Sequence, residues 1–200
     1  MKATLLEVDP NAALAPAPGK SCGTCTACCY TVPVSEIGVR AFHRCPHLLS
    51  PPDVRIGCGV YSDRPRSCRI WSCSWLIGDL PDEYRPDRLG VVLDPLPDVV
   101  LANGKELPAA QFWVMPGHED DWRQVRMSNL IMSMIDLGFI VLWRMRDPET
   151  DGQMARAFGR DENGKLSVSP IDKGREQLTG FNSDGDRFVR AQELADRRGR

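Results

Sequence analysis

All eight cysteines of this 200-residue chain lie between Cys22 and Cys73, at Cys22, Cys25, Cys28, Cys29, Cys45, Cys58, Cys68 and Cys73. Cysteines that act only as small hydrophobes scatter singly through a core. This density instead marks a segment held by sulfur chemistry, either disulfides or metal ligation. The opening run is Cys22-x-x-Cys25-x-x-Cys28-Cys29. Two residues between thiolates is the spacing of a metal knuckle, a tight turn that lets both sulfurs converge on one ion. Gly23, Thr24, Thr26 and Ala27 are small enough for that turn. Adjacent cysteines point in different directions in most backbone conformations, so Cys28 and Cys29 suit different ions, or leave one thiol free, better than they suit one ion side by side. Eight thiols complete two four-sulfur zinc sites; they equally suit an iron–sulfur cluster plus a zinc, or one site with four thiols left over. Sulfur ligands alone do not choose between zinc and iron.

Compartment decides between metal and disulfide. The first twenty residues hold no apolar run of signal-peptide length. The longest apolar stretch, Leu130 to Met145, is broken by Ser133, Asp136, Gly138 and Arg144 and is too short to span a bilayer. The expectation is a cytoplasmic chain without a membrane partner, where thiols stay reduced and structural disulfides are rare. Thiol redox catalysis at Cys22-Gly23-Thr24-Cys25 would need a thioredoxin-like βαβ pattern around it, and none surrounds it. The net charge of −2 and pI near 5.9 give no electrostatic case for nucleic acid.

Several neighbours bear on the sulfurs. His43 and His47 flank Cys45 and are alternative ligands, whereas His118, beside Glu119 and Asp120, reads as a solvated loop residue. Arg55, Arg64, Arg66 and Arg69 lie among the cysteines, where guanidinium groups either offset thiolate charge or face solvent. Tyr61, Trp71 and Trp75 are expected to shield the site and dock it on the rest of the chain. A separate motif, Asn182-x-Asp184-x-Asp186 with Glu193 at the twelfth position, follows the ligand spacing of an EF-hand calcium loop. It departs from that pattern at Arg187, where the loop needs glycine. The competing expectation is an acidic turn capping a terminal helix.

The combined motif, Cys22-x-x-Cys25-x-x-Cys28-Cys29, Cys45-Pro46-His47-Leu48, Gly57-Cys58-Gly59-Val60-Tyr61 and Arg64-Pro65-x-x-Cys68-Arg69, resembles the CxxCxxCC zinc- or iron-chelating proteins, the YkgJ-type cysteine-cluster family. The resemblance covers about Ser21 to Trp75. It implies a metal-binding cysteine cluster with zinc or iron held by the eight cysteines, and carries over no catalytic residue. Three function classes follow: a metal-binding protein with a structural or metal-carrying role, an iron–sulfur redox enzyme or electron carrier, and a metal-stabilised protein-interaction module. No Ser/His/Asp set, phosphate loop or paired-carboxylate arrangement argues for a particular reaction.

The elements that must position these residues read as an α+β chain. Residues 1–20 end in an Ala/Pro/Gly stretch and predict a mobile arm. Residues 21–80 form an irregular, metal-stapled cysteine module with too few aliphatic residues for its own core, containing at most a helix from Ser35 to about His43. Residues 81–170 predict a small antiparallel sheet with one main helix. Its strands are Gly90–Asp94, Asp98–Ala102, Lys105–Leu107, Gln111–Met115 and Phe139–Trp143, followed by a hairpin of Met154–Arg160 with Lys165–Val168. The helix is expected from about Asp120 to Leu137, with Met127, Leu130, Ile131, Met134 and Leu137 on its core face and Gly138 as its C-cap. Residues 171–200 predict a polar tail ending in a helix from Arg190.

Overall fold

The computed structural model describes residues 15–49, 56–95, 98–102, 105–161 and 163–171. The calcium-type loop at Asn182, Asp184, Asp186 and Glu193, the helix expected from Arg190, the Asn103-Gly104 turn and Arg55 lie outside the described residues.

The cysteine region is built from short pieces, because glycine and proline interrupt it before any period can propagate. Helix α1 (Cys28–Thr31) is followed by strand β1 (Leu48–Leu49), strand β2 (Gly57–Cys58), helix α2 (Arg66–Ile70) and helix α3 (Pro86–Leu89). The helix expected over Ser35–His43 does not form. A 3-10 turn at Ser35–Ile37 stops at Gly38, whose φ of 68° is left-handed, and Val34 and Val39 exchange backbone hydrogen bonds of 2.8 and 3.0 Å. The β-branched pair and the glycine between them favour a tight reversal over a helix.

Beyond it lies a six-stranded sheet of β3 (Val91–Leu93), β4 (Asp98–Ala102), β5 (Lys105–Val114), β6 (Ile140–Arg146), β7 (Gln153–Arg160) and β8 (Leu166–Ile171). The order is β3-β5-β6-β7-β8, with β4 sharing the β3 edge of β5. The two segments expected at Lys105–Leu107 and Gln111–Met115 are one strand. Pro108 is tolerated inside it because pairing with β6 starts only at Ala109, so the missing N–H breaks no bond to that neighbour. The fully antiparallel sheet expected from the sequence is corrected at one place: β5 and β6 run parallel, Ala109 opposite Ile140. Helix α4 (Val125–Asp136) is their crossover, as a parallel pair requires.

Helix α4 begins later than expected. Asp121–Arg123 form a 3-10 turn, and Gln124 is extended (φ −72°, ψ 142°), so the acidic residues precede the helix. Met127, Leu130, Ile131 and Ile135 are buried, Met134 is half-buried against the core, and Leu137 points to solvent at 59% exposure. The stop is as expected. Gly138 takes a φ of 90°, and Phe139 N–H reaches back to Met134 C=O at 3.0 Å.

The sheet is covered on both faces. Val91, Leu93, Phe112, Val114, Val141, Trp143, Met145 and Phe158 join the α4 residues, together with Trp75, Leu76 and Leu80. On the alternate positions Val92 and Trp113 pack against Ala27, Val32 and Phe42, so the cysteine region is the sheet's second cover. Phe42 lies 5.9 Å from Trp113 between ring centroids, and Trp71 Nε1 donates to Asp94 at 3.0 Å. Ala17 N–H donates to Leu76 C=O, and Lys20 Nζ donates to the carbonyls of Trp75 and Leu80. No helix among the described residues is long and apolar enough to cross a membrane.

The same face buries an arginine. Arg144 is 2% exposed, its Nε donates to Gln111 Oε1 at 2.7 Å, and its guanidinium lies 5.6 Å from the Trp113 ring. Arg144→Ala strands a buried amide acceptor and should lower unfolding free energy by about 3 kcal/mol in urea titrations. Arg160→Ala, which removes an exposed pair with Asp136, should cost under about 1 kcal/mol in the same assay.

Candidate metal centre

A tight turn is present at Cys22–Cys25: Cys25 N–H donates to Cys22 C=O at 2.8 Å, with Gly23 at a φ of 52°. Thr24 Oγ1 and the Cys22 carbonyl both accept from Arg85 Nη2. Cys28 and Cys29 open α1, whose Thr31 hydroxyl returns to Ala27 C=O at 3.0 Å. The chain then comes back, and Cys45 N–H donates to Cys29 C=O at 2.8 Å. Leu48 of β1 pairs with Cys58 of β2. A Cβ on Gly57 would stand 3.1 Å from Gly23 O, so this small hairpin lies directly on that turn. Cys68 sits in α2, and Cys73 follows as Ser74 N–H hooks onto Leu93 C=O at 2.9 Å.

None of the eight cysteines is in a disulfide; Cys45 is buried and the rest are half-buried. Burial disfavours thiolates, and it pushes Cys68 and Cys73 up to about 11. Neighbouring thiols add to this. Cys68 is within electrostatic reach of Cys29, Cys45 and Cys58, and Cys73 within reach of Cys25 and Cys22. Cys28 holds its proton by donating it to Cys29, which lowers Cys29 in turn, with Arg64 helping. Backbone amides aim at several sulfurs: Ala27 and Asp87 N–H at Cys25, His47 N–H at Cys45, Leu76 and Trp75 N–H at Cys73. Such bonds stabilise a sulfur that carries negative charge.

In the arrangement described, no group of three or more His, Cys, Asp or Glu side chains is drawn close enough to hold an ion. The fold brings sulfurs from separate segments into one layer.

Around the sulfurs the expected roles separate. Arg64 is within electrostatic reach of Cys22, Cys29 and Cys68, and it stacks 3.9 Å from the Tyr61 ring centroid. Tyr61 is 42% exposed, so it is no hydrophobic shield, but its hydroxyl donates to the Cys22 sulfur. Trp71 and Trp75 do dock the layer. His43 is not placed as a ligand: Nδ1 meets Ala41 C=O at 2.9 Å, while Nε2 meets Arg40 and Asp151. It lines a cleft of about 420 Å³ with Trp113 and Gln153. His47 sends its backbone amide to Cys45. His118 is not simply solvated, since its Nδ1 bonds Asp121 at 2.6 Å and its ring lies over Gly90.

Two residues that sequence reasoning missed act here. Arg85 lies beyond the motif and comes near through α3. Glu36 accepts from Arg66 N, Ser67 N and Ser67 Oγ at 2.6–2.9 Å, capping the N-terminus of α2 from a distant turn. Capping is read from adjacent residues, and a cap supplied from across the fold leaves no local signature. Comparison with family models, curated proteins and solved structures produced no match.

The hydrogen bonds from Ser67 and Arg66 hold the Glu36 carboxyl below its ordinary value of 4.5. A depressed folded-state pKa contributes stability that is complete above the unfolded value and is lost as pH falls through the folded one. Glu36→Gln should therefore destabilise by about 0.5 kcal/mol at pH 7, the low end for an exposed cap. The difference from the parent should shrink as the pH falls below 4.5; chemical unfolding of both at neutral and at acid pH measures it.

Proposed function

We propose that this chain is a metal-binding cysteine-cluster protein, holding zinc or iron through Cys22, Cys25, Cys28, Cys29, Cys45, Cys58, Cys68 and Cys73, and that the metal keeps the cysteine layer in register on the sheet. The observation that carries this is the set of backbone amides aimed at the Cys25, Cys45 and Cys73 sulfurs. Thiols buried as neutral groups gain little from such donors. Thiolates bound to a cation gain charge-assisted hydrogen bonds from them. The resemblance of the motifs to the CxxCxxCC chelating proteins points the same way.

A structural role accounts for the composition. The region between Cys22 and Cys73 lacks long elements, and small irregular modules commonly depend on a metal for their fold. A closed four-sulfur site also leaves no open coordination position for catalysis. The cytoplasmic setting expected from the sequence would keep the thiols available to an ion.

Metal analysis of protein purified without oxygen tests the proposal. Stoichiometric zinc in a colourless sample, or iron with visible absorption and acid-labile sulfide, supports it and names the metal. A chelator should then lower the thermal midpoint. A ligand contributing about 4 kcal/mol corresponds to a fall of roughly 8–16 °C in a chain of this size. Metal-free protein with every thiol alkylated under native conditions would falsify it.

A further inference from the structure

We infer that the cleft between the loop of residues 33–43 and the start of β7 is a binding site for a neutral, mainly apolar small molecule carrying one N–H or O–H donor. The inference goes beyond the metal-binding proposal and does not depend on it.

Small residues leave the space open. Gly38, Ala41 and Gly152 line the cleft, and a Cβ built on Gly38 would meet nothing within 4 Å. The volume of about 420 Å³ falls within the range of small-molecule sites. Pro33, Val39 and Ala41 come from the loop, and Trp113 of β5 supplies an aromatic wall. Such a lining favours an apolar body.

One group in the wall lacks a partner. The register places Gln153 two residues before Ala155, which stands opposite Arg144 and so on the Trp113 face of the sheet. Gln153 Oε1 is shut off from solvent and accepts no hydrogen bond. The residue lines the cleft and is half-buried. A turn of its side chain toward a bound N–H or O–H gives the oxygen the donor it lacks. The charged groups make no such demand. Arg40 and Arg146 both pair with Asp151, and His43 Nε2 lies 2.7 Å from Arg40 and 3.2 Å from Asp151. Their engagement with one another favours an uncharged ligand.

Backbone strain collects at the same place. Among the described residues, Phe42 at a φ of 61° and Asp151 at 56° are the non-glycine residues in the left-handed region. Asp151 lines the cleft, and Phe42 lies between two lining residues, Ala41 and His43. Aspartate tolerates this conformation, whereas a bulky aromatic is an outlier in it. Outliers of this kind cluster at ligand-binding segments. The contact of Phe42 with Trp113 holds the strained loop against the sheet.

Indole and benzofuran test the site, because they match in size and shape but only indole carries an N–H donor. Each is titrated into the full-length chain while the backbone amide signals of Gly38 and Gly152 are followed by NMR. Indole should shift both signals saturably, and benzofuran should bind about tenfold more weakly for want of the hydrogen bond to Gln153 Oε1. Gln153→Met keeps the side-chain length and removes the acceptor. It should weaken indole by about tenfold and leave benzofuran unchanged. Equal affinity of the parent for the two probes overturns the donor assignment, as does a Gln153→Met chain that binds indole as tightly as the parent. Absence of saturable shifts at Gly38 and Gly152 with both probes overturns the site. Should the variant not fold, the comparison of the two probes on the parent decides. Neither probe reads the sulfurs, so failure here leaves the metal-binding proposal standing.

Discussion

Alternating burial on the two faces of one sheet is the constraint on which the rest depends. Val92, Gln111, Trp113, Leu142 and Arg144 all point away from α4, yet none is more than 2% exposed. A sheet with large side chains on both faces needs a cover on both. Helix α4 supplies one. The other is drawn from a region with few aliphatic residues, so it is fastened by a small number of aromatic and polar contacts: Phe42 on Trp113, Trp71 on Asp94, and Lys20 on the carbonyls of Trp75 and Leu80.

That way of covering the sheet places the sulfurs. Cys22, Cys25, Cys28 and Cys73 pack against the clusters on the sheet. Burial opposes ionisation of the thiols, whereas backbone amides and two arginines oppose that penalty. The cation proposed above would reconcile these opposing effects.

The legible parts of the chain are those in which local chemistry and final environment agree. The strands from Val91 to Leu93 and from Ile140 to Arg146, the hairpin of β7 with β8, and the Gly138 stop of α4 follow from period and turn residues. The illegible parts are decided by partners distant in sequence. Asp120 and Asp121 look like a helix start, but Gln124 is extended and the helix opens after it. Leu137 continues the apolar spacing of α4, yet the helix ends beside solvent. His43 sits between cysteines in order, but its ring turns to Asp151, which arrives from the β6–β7 turn.

By itself the sequence determined the cysteine ligand candidates, the tight turn at Gly23, the α+β class and the main helix, because spacing and side-chain type act over a few residues. Tertiary structure alone decided that β5 and β6 run parallel, that the cysteine layer covers the sheet's second face, and that Glu36 and Arg85 serve it. The physical reason is range. A turn or a helical stripe is stabilised by neighbours along the chain, whereas the environment of a sulfur, an arginine or a histidine is set by whichever segments pack beside it in space.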